Sequence, residues 1–159
     1  MAAQQKLVLL TGSDLGNRAE YLNSAKRSVQ QLIGTVIKES TVHETEPWGF
    51  TSDTKFLNQA LLVETDLTPL QVLAMIHRIE TELGRERISE RWSSRIIDID
   101  ILCWESLLLN TEELRIPHQQ LHQREFALIP LCEVVPDWIH PEFGISYRQI
   151  LQKDLITPI

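Results

Sequence analysis

Apolar and polar positions alternate along this chain with two different periods, and the change of period marks out its elements. Residues 6–11 (KLVLLT) are an apolar run of strand length, followed by a turn at Gly12-Ser13-Asp14-Leu15-Gly16-Asn17. The positions Leu22, Ala25, Val29, Leu32 and Ile33 then recur at intervals of three and four, which predicts a helix from about residue 18 to 32 with one buried face. Gly34 stands where a helix C′ residue belongs. Residues 35–43 read as a second strand, 44–55 (ETEPWGFTSDTK) as a turn-rich loop, and 56–64 as a third strand. Thr68 and Pro69 supply the N-cap and first position of another helix, whose stripe is Leu70, Leu73, Ile76, Ile79 and Leu83, with Gly84 ending it. A polar loop, 85–95 (RERISERWSSR), leads into a strand over 96–104, and a short strand at 107–109 is expected to pair with it as a hairpin. A helix over 123–134 and a helical turn near 147–152 complete the pattern. Strands and helices mix without regular βαβ alternation, which favours an α+β sandwich over a doubly wound sheet.

Composition narrows the class. A length of 159 residues, 43% hydrophobic and 23% charged, is that of one globular domain over 1–159 with a core large enough to need no disulfide or structural metal. Cys103 and Cys132 sit in apolar sequence outside any CxxC pair and read as buried thiols in a reducing compartment. The four-residue apolar run after Lys6 is too short for a signal peptide or a membrane span, so a cytoplasmic protein is expected, with no membrane partner. A net charge of −7 argues against a phosphate-tracking nucleic-acid surface, although not against a local basic pocket for a small anion.

The densest chemistry lies at Arg95-Ile-Ile-Asp98-Ile-Asp100-Ile-Leu. On a strand, residues i and i+2 share a face, so Asp98 and Asp100 project together while Ile97, Ile99 and Ile101 enter the other side. Two adjacent carboxylates repel unless a cation or strong donors lie between them, and one or two carboxylates plus water and phosphate oxygens is the usual magnesium arrangement. A solvated strand face carrying two acids is the plainer alternative. The preceding loop holds Arg85, Arg87, Arg91 and Arg95, and the planar guanidinium fork suits phosphate oxygens. An exposed, charge-mixed loop is again the plainer alternative, but together the two segments supply both halves of a metal–nucleotide site. No GxxxxGK[ST] loop is present, so nucleotide use of the P-loop type is excluded, and no HExxH, Cys–His cluster or GxSxG elbow points to zinc or serine chemistry.

At this point the chain resembles a known family. ERWSSRIIDIDIL is similar to the signature of the 6-hydroxymethyl-7,8-dihydropterin pyrophosphokinases of folate biosynthesis. LTGSDLGNRAEYLNSA, FLNQALLVET, IETELGRER and RIPHQQLHQREFALIPLCEVVPDW resemble other segments of it, in order, over roughly residues 6 to 152. The resemblance implies a three-layer α+β sandwich with a mixed, mostly antiparallel, ferredoxin-like sheet, and transfer of pyrophosphate from ATP to the hydroxymethyl group of the pterin. It also implies roles. Asp98 and Asp100 would bind two magnesium ions, and Arg85 and Arg95 would be catalytic-loop arginines. Glu80, Arg87, Arg91, Trp92, His118 and Arg124 would lie at the ATP. Asn58 would bond the pterin amide edge, Phe56 and Phe126 would sandwich the ring, and Thr45 and Trp48 would offer backbone contacts. ATP and the pterin are the implied small-molecule partners, with a monomer as the default.

The chain departs from the family pattern at Asp14, where asparagine is usual, at Ser93-Ser94, at Ile88 and at Glu113, beside which Arg115 could compensate. Two rivals remain open from the sequence: a magnesium-dependent phosphohydrolase using the same Asp pair, and a nucleotide-binding module without catalysis.

Overall fold

A nine-residue strand, β1 (Gln5–Ser13), runs through the middle of the molecule, and its neighbours are built outward from it. The computed structural model describes residues 4–14, 16–45, 55–84 and 96–156. β1 pairs antiparallel with β4 (Phe56–Thr65) on one side and with β5 (Asp98–Trp104) on the other. β2 (Thr35–Glu39) and β3 (His43–Thr45) pair with successive parts of β4. The order is β2-β4-β1-β5. Helix α1 (Arg18–Leu32) joins β1 to β2, and α2 (Pro69–Glu82) joins β4 to β5, each crossing one intervening antiparallel strand. That is the split βαβ order of ferredoxin-like folds. Each ladder among the described residues is antiparallel, so the parallel component of a mixed sheet is not found there.

The sheet is covered on both faces, which is why β1 reads as a continuous apolar run. Leu7 and Leu9, with Leu61, Val63 and Ile99, face Ala25 and Val29 of α1 and Val72, Ile76 and Ile79 of α2. Val8, Leu10, Ala60 and Leu62 face Leu128 and Leu131 of α3 (Glu125–Val134) and Tyr147 and Ile150 of α4 (Tyr147–Ile156). These are the three layers. β5 changes phase part-way: the β1–β5 register shifts so that Leu9 opposes Ile101 and Val8 opposes Cys103. Leu102 is the extra residue of a bulge. Ile97, Ile99 and Ile101 therefore enter the α1/α2 core, Leu102 and Cys103 the other core, and Trp104 the first again.

Several local expectations need correction. The stretch 35–43 is two strands, because register shifts between Val36 and Lys38 and the chain then leaves the ladder, tied by Ser40 N to Ala60 O at 2.9 Å. Thr68 and Gln71 form the reciprocal cap of α2 at 3.3 and 2.9 Å, but Leu70 is 51% exposed and the buried stripe runs through Val72, Ile76 and Ile79. The strand after β5 does not pair back with it. Glu105 adopts φ +42 and Leu107 N bonds Trp104 O at 2.8 Å, turning the chain so that β6 (Leu109–Asn110) pairs with β7 (Arg115–Ile116). A 3-10 turn (Leu121–Gln123) precedes α3, and the terminal turn is the longer α4. Both cysteines are free, and Cys132 is only half-buried. Burial pushes the Cys103 thiol up to about 12, against a hydrogen bond with Tyr147, so it is inert at neutral pH.

Gly34 is required for a reason other than the left-handed cap. Its φ is not among the positive ones, which belong to Gly16, Gly84 and Gly144. A Cβ there would instead lie 2.1 Å from the Glu64 carbonyl oxygen, where α1 hands over to the edge of β4. Gly34→Ala should cost about 2 kcal/mol or more in urea-unfolding stability, and a value within about 0.5 kcal/mol of wild type would show that this close approach constrains nothing.

Candidate active site

Register places four residues in one line across the sheet. His43 opposes Asn58, Asn58 opposes Gly12, and Gly12 opposes Asp98. Directly opposed residues share a face, and this face is the one covered by α3 and α4. Gly12 keeps the line open: a Cβ on it would lie 2.7 Å from Asn58 Oδ1. Glycine inside a strand marks such an approach, a signal that the reading of Gly12 as a turn residue overlooked. Asp100 stands two residues beyond Asp98 on the same face, both carboxylates part-exposed, with Ile99 buried between them.

β5 is an edge strand, and its free edge is satisfied by side-chain and backbone partners. Ile99 N donates to Glu80 Oε2 at 2.9 Å, and His118 N donates to Leu102 O at 2.9 Å. Glu80, expected at the nucleotide, is 3% exposed on the inner side of α2. Its carboxylate holds the backbone between Asp98 and Asp100, so it positions the pair.

Beside this edge lies a cleft of about 430 Å³. It is lined by Ile99, Asp100 and Ile101 of β5, by Leu73 and Ile76 of α2, by the segment from Glu112 to Arg115, and by His118. Gln119, which no sequence signal singled out, also lines it and accepts from Arg115 Nη1 at 2.8 Å. His118 is held toward its neutral form. Burial is the main cause, the Arg124 guanidinium adds to it, and Asp98 opposes both. Arg124 donates to Gln120 Oε1 and lies 5.6 Å over the Phe126 ring.

Thr45 and Phe56 are register partners next to the His43–Asn58 pair, and Asn58 Nδ2 donates to Thr45 Oγ1 at 2.9 Å. Phe126, in the first turn of α3, packs into the core layer on the same face. The structure thus brings Thr45, Phe56, Asn58, Phe126, Asp98, Asp100, His118 and Arg124 to one side of the sheet, with Glu80 behind the edge. Trp48, Arg85, Arg87, Arg91, Trp92 and Arg95 lie outside the described residues. Among the described residues no three His, Cys, Asp or Glu side chains converge on a metal. The donor set that is present, two carboxylates beside an open cleft, is the kind magnesium takes when it keeps water and phosphate oxygens.

Comparison with known proteins points to one family. The model of the family described as 7,8-dihydro-6-hydroxymethylpterin-pyrophosphokinase (HPPK) matches residues 8–136. The 2-amino-4-hydroxy-6-hydroxymethyldihydropteridine pyrophosphokinase of Aquifex aeolicus is 35% identical over 148 residues, covering 92% of this chain and 91% of the relative. That of Porphyromonas gingivalis is 40% identical over 137 residues, covering 84% and 92%. Among solved structures, Plasmodium falciparum HPPK-DHPS with pteroate superposes with a TM-score of 0.78 at 16% identity, over 96% of this chain. This chain spans 45% of that longer one, and the likeness speaks for the fold.

The surroundings of His118 make a test independent of turnover. In an NMR titration, Arg124→Ala should move the His118 midpoint upward and Asp98→Asn should move it downward. Midpoints unchanged in both variants would mean that neither charge acts on the imidazole.

Proposed function

The chain belongs to the 7,8-dihydro-6-hydroxymethylpterin-pyrophosphokinase family, and on that premise we propose that the line from Asn58 to Asp98 and the cleft beside Asp100 are the two halves of its active site. The enzyme transfers pyrophosphate from ATP to the hydroxymethyl group of 6-hydroxymethyl-7,8-dihydropterin, releasing AMP. The observation that carries the site assignment is the register of β3, β4, β1 and β5, which puts a buried amide and a carboxylate pair on one face.

In this reading the pterin lies over β4 and β1. Asn58 offers an amide donor and acceptor to the ring edge, Phe56 and Phe126 offer aromatic faces, and Gly12 leaves the floor flat. ATP occupies the cleft, with His118 and Arg124 toward its phosphates. Asp98 and Asp100, between the two ligands, would hold two magnesium ions, which when bound neutralise phosphate charge and orient oxygen atoms. The pterin hydroxyl oxygen attacks the β-phosphorus in line, the bond from that phosphorus to the α-phosphate oxygen breaks, and AMP leaves as the hydroxyl proton is lost. The remaining contribution of the chain is positioning: Glu80 fixes the strand carrying the carboxylates, and Arg85 and Arg95 stabilise developing charge. No helix among the described residues is long and apolar enough to cross a membrane. Within the same reading the chain works as one domain over 1–159, as a monomer in the cytoplasm.

Phosphorus NMR of the protein with ATP, magnesium and the pterin checks the reaction. AMP should appear in step with a pterin pyrophosphate. ADP, or free phosphate without the pterin, would overturn the reading. Asp98→Ala and Asp100→Ala should each lower kcat on the order of 100-fold or more. Turnover within a few-fold of wild type in either variant would remove the carboxylate pair from the mechanism.

A further inference from the structure

One cluster on the pterin side of the sheet has no part in the site so far. Glu133, near the end of α3, is met by three donors from the β2–β3 segment: Thr41 N at 2.8 Å, Thr41 Oγ1 at 3.0 Å, and the His43 ring nitrogen Nε2. Thr41 Oγ1 lies a further 3.2 Å from His43 Nε2, closing a triangle. Burial works against the charge on Glu133, but the Thr41 backbone N–H, His43 and the Thr41 hydroxyl together hold its carboxyl below the usual range.

What the cluster joins gives it consequence. His43 is the outermost member of the line that runs through Asn58 and Gly12 to Asp98. Thr45, two residues on, shares its face and accepts from Asn58 Nδ2. On the helix side, Phe126 and Glu133 are seven residues apart, so they fall on one stripe of α3 about 10 Å apart along its axis. Pro130 stands between them and has no N–H for the Phe126 carbonyl. The first turn of α3 therefore relies more on tertiary anchors than an uninterrupted helix would. β3, only three residues long, is held from the opposite face by Arg18, which bonds Glu44 Oε2 at 3.3 Å and Lys55 O at 2.5 Å.

We propose that Glu133, Thr41 and His43 form a clamp that sets the spacing between the α3 wall of the pterin slot, carrying Phe126, and its β3–β4 floor, carrying Asn58 and Thr45. The three are positioning residues, and the proposal rests on the pterin site assigned above. A slot for a flat heterocycle depends on the separation of its walls to within a fraction of an ångström, since dispersion contacts are lost steeply with distance. Releasing one carboxylate lets α3 and β3 drift independently without touching the phosphate half of the site, which sits beyond Asp98 against the far edge of the sheet.

The test separates pterin from ATP. Glu133→Gln and His43→Phe should each raise the pterin KM, and the pterin Kd by intrinsic fluorescence, on the order of tenfold, with kcat and the ATP KM moving less than about twofold. Thr41→Val, which removes only an exposed hydroxyl, should give a smaller shift of the same kind, and serves if the other variants fold poorly. The double variant of Glu133→Gln with His43→Phe should bind pterin no more weakly than Glu133→Gln alone. A general loss of folding would lower the active fraction and leave both KM values in place, and that outcome, or a pterin Kd unchanged in all variants, would overturn the clamp alone. A wild-type chain that binds ATP but no pterin would overturn the substrate reading and the clamp with it.

Discussion

Two carboxylates two residues apart on an edge strand repel one another, and the fold has to hold them together before any ligand arrives. At the roughly 6–7 Å that separates i and i+2 on a strand, and a partly wet dielectric, the repulsion is about 1–3 kcal/mol. Against it stands the opposite face of the same strand. Ile97, Ile99 and Ile101 are all at most 5% exposed, and burying three such side chains contributes up to about 5–9 kcal/mol as an upper estimate. Burial wins, with the Glu80 hydrogen bond to Ile99 N fixing the backbone between the charges. The strand that carries the proposed carboxylate pair is therefore among the best anchored parts of the molecule, and the geometry of that pair is a by-product of core packing.

The same period of two organises the rest of the site. Antiparallel register turns one alternation into a line, so that a residue chosen on β5 fixes which residues of β1, β4 and β3 lie beside it. Had β1 slipped by one residue against β4, Asn58 would have turned into the α1/α2 core and Leu57 onto the face covered by α3 and α4. The bulge at Leu102 lies beyond Asp100, on the side away from Gly12, so it re-aims Cys103 and Trp104 without disturbing the carboxylates. Gly34 pins the neighbouring ladder by close approach to Glu64.

This explains what could be read from the sequence. Period-two alternation made the shared face of Asp98 and Asp100 legible, and helical periodicity gave α1 its bounds. The Thr68-Pro69 pair marks the start of α2, and Ile76 and Ile79 mark its buried stripe, with Leu70 the exception. Leu70 is apolar and so reads as core, whereas its position in the first turn leaves it lining a groove with Leu107 and Leu109. Pairings between distant segments were not legible, because strand partners are chosen by register and not by local pattern. Hence the misplaced hairpin after β5 and the reading of 35–43 as one strand. Glu80 shows the limit at the site. A glutamate on an apolar stripe carries no sign of whether it will meet a ligand or a backbone N–H, and only the fold of β5 against α2 decides it.

Charge sets the last condition on the site. Of the described groups lining the cleft or bordering it, Asp98, Asp100, Glu112 and Glu113 are acidic, while Arg115 and Arg124 are the permanent cations, and His118 is held toward neutrality. A triphosphate entering that half-built pocket meets a net negative field on a chain already at −7. Steering by the whole molecule would work against association, so binding has to rest on charges supplied at short range. Cations held at Asp98 and Asp100, as proposed above, would reverse the local sign, and the four arginines of residues 85–95 are the densest positive charge in the sequence. The acidic pair is thus unsuited to its substrate by itself. Under the proposed site assignment its use would come from compensation by cations, phosphate and guanidinium groups brought to it at short range.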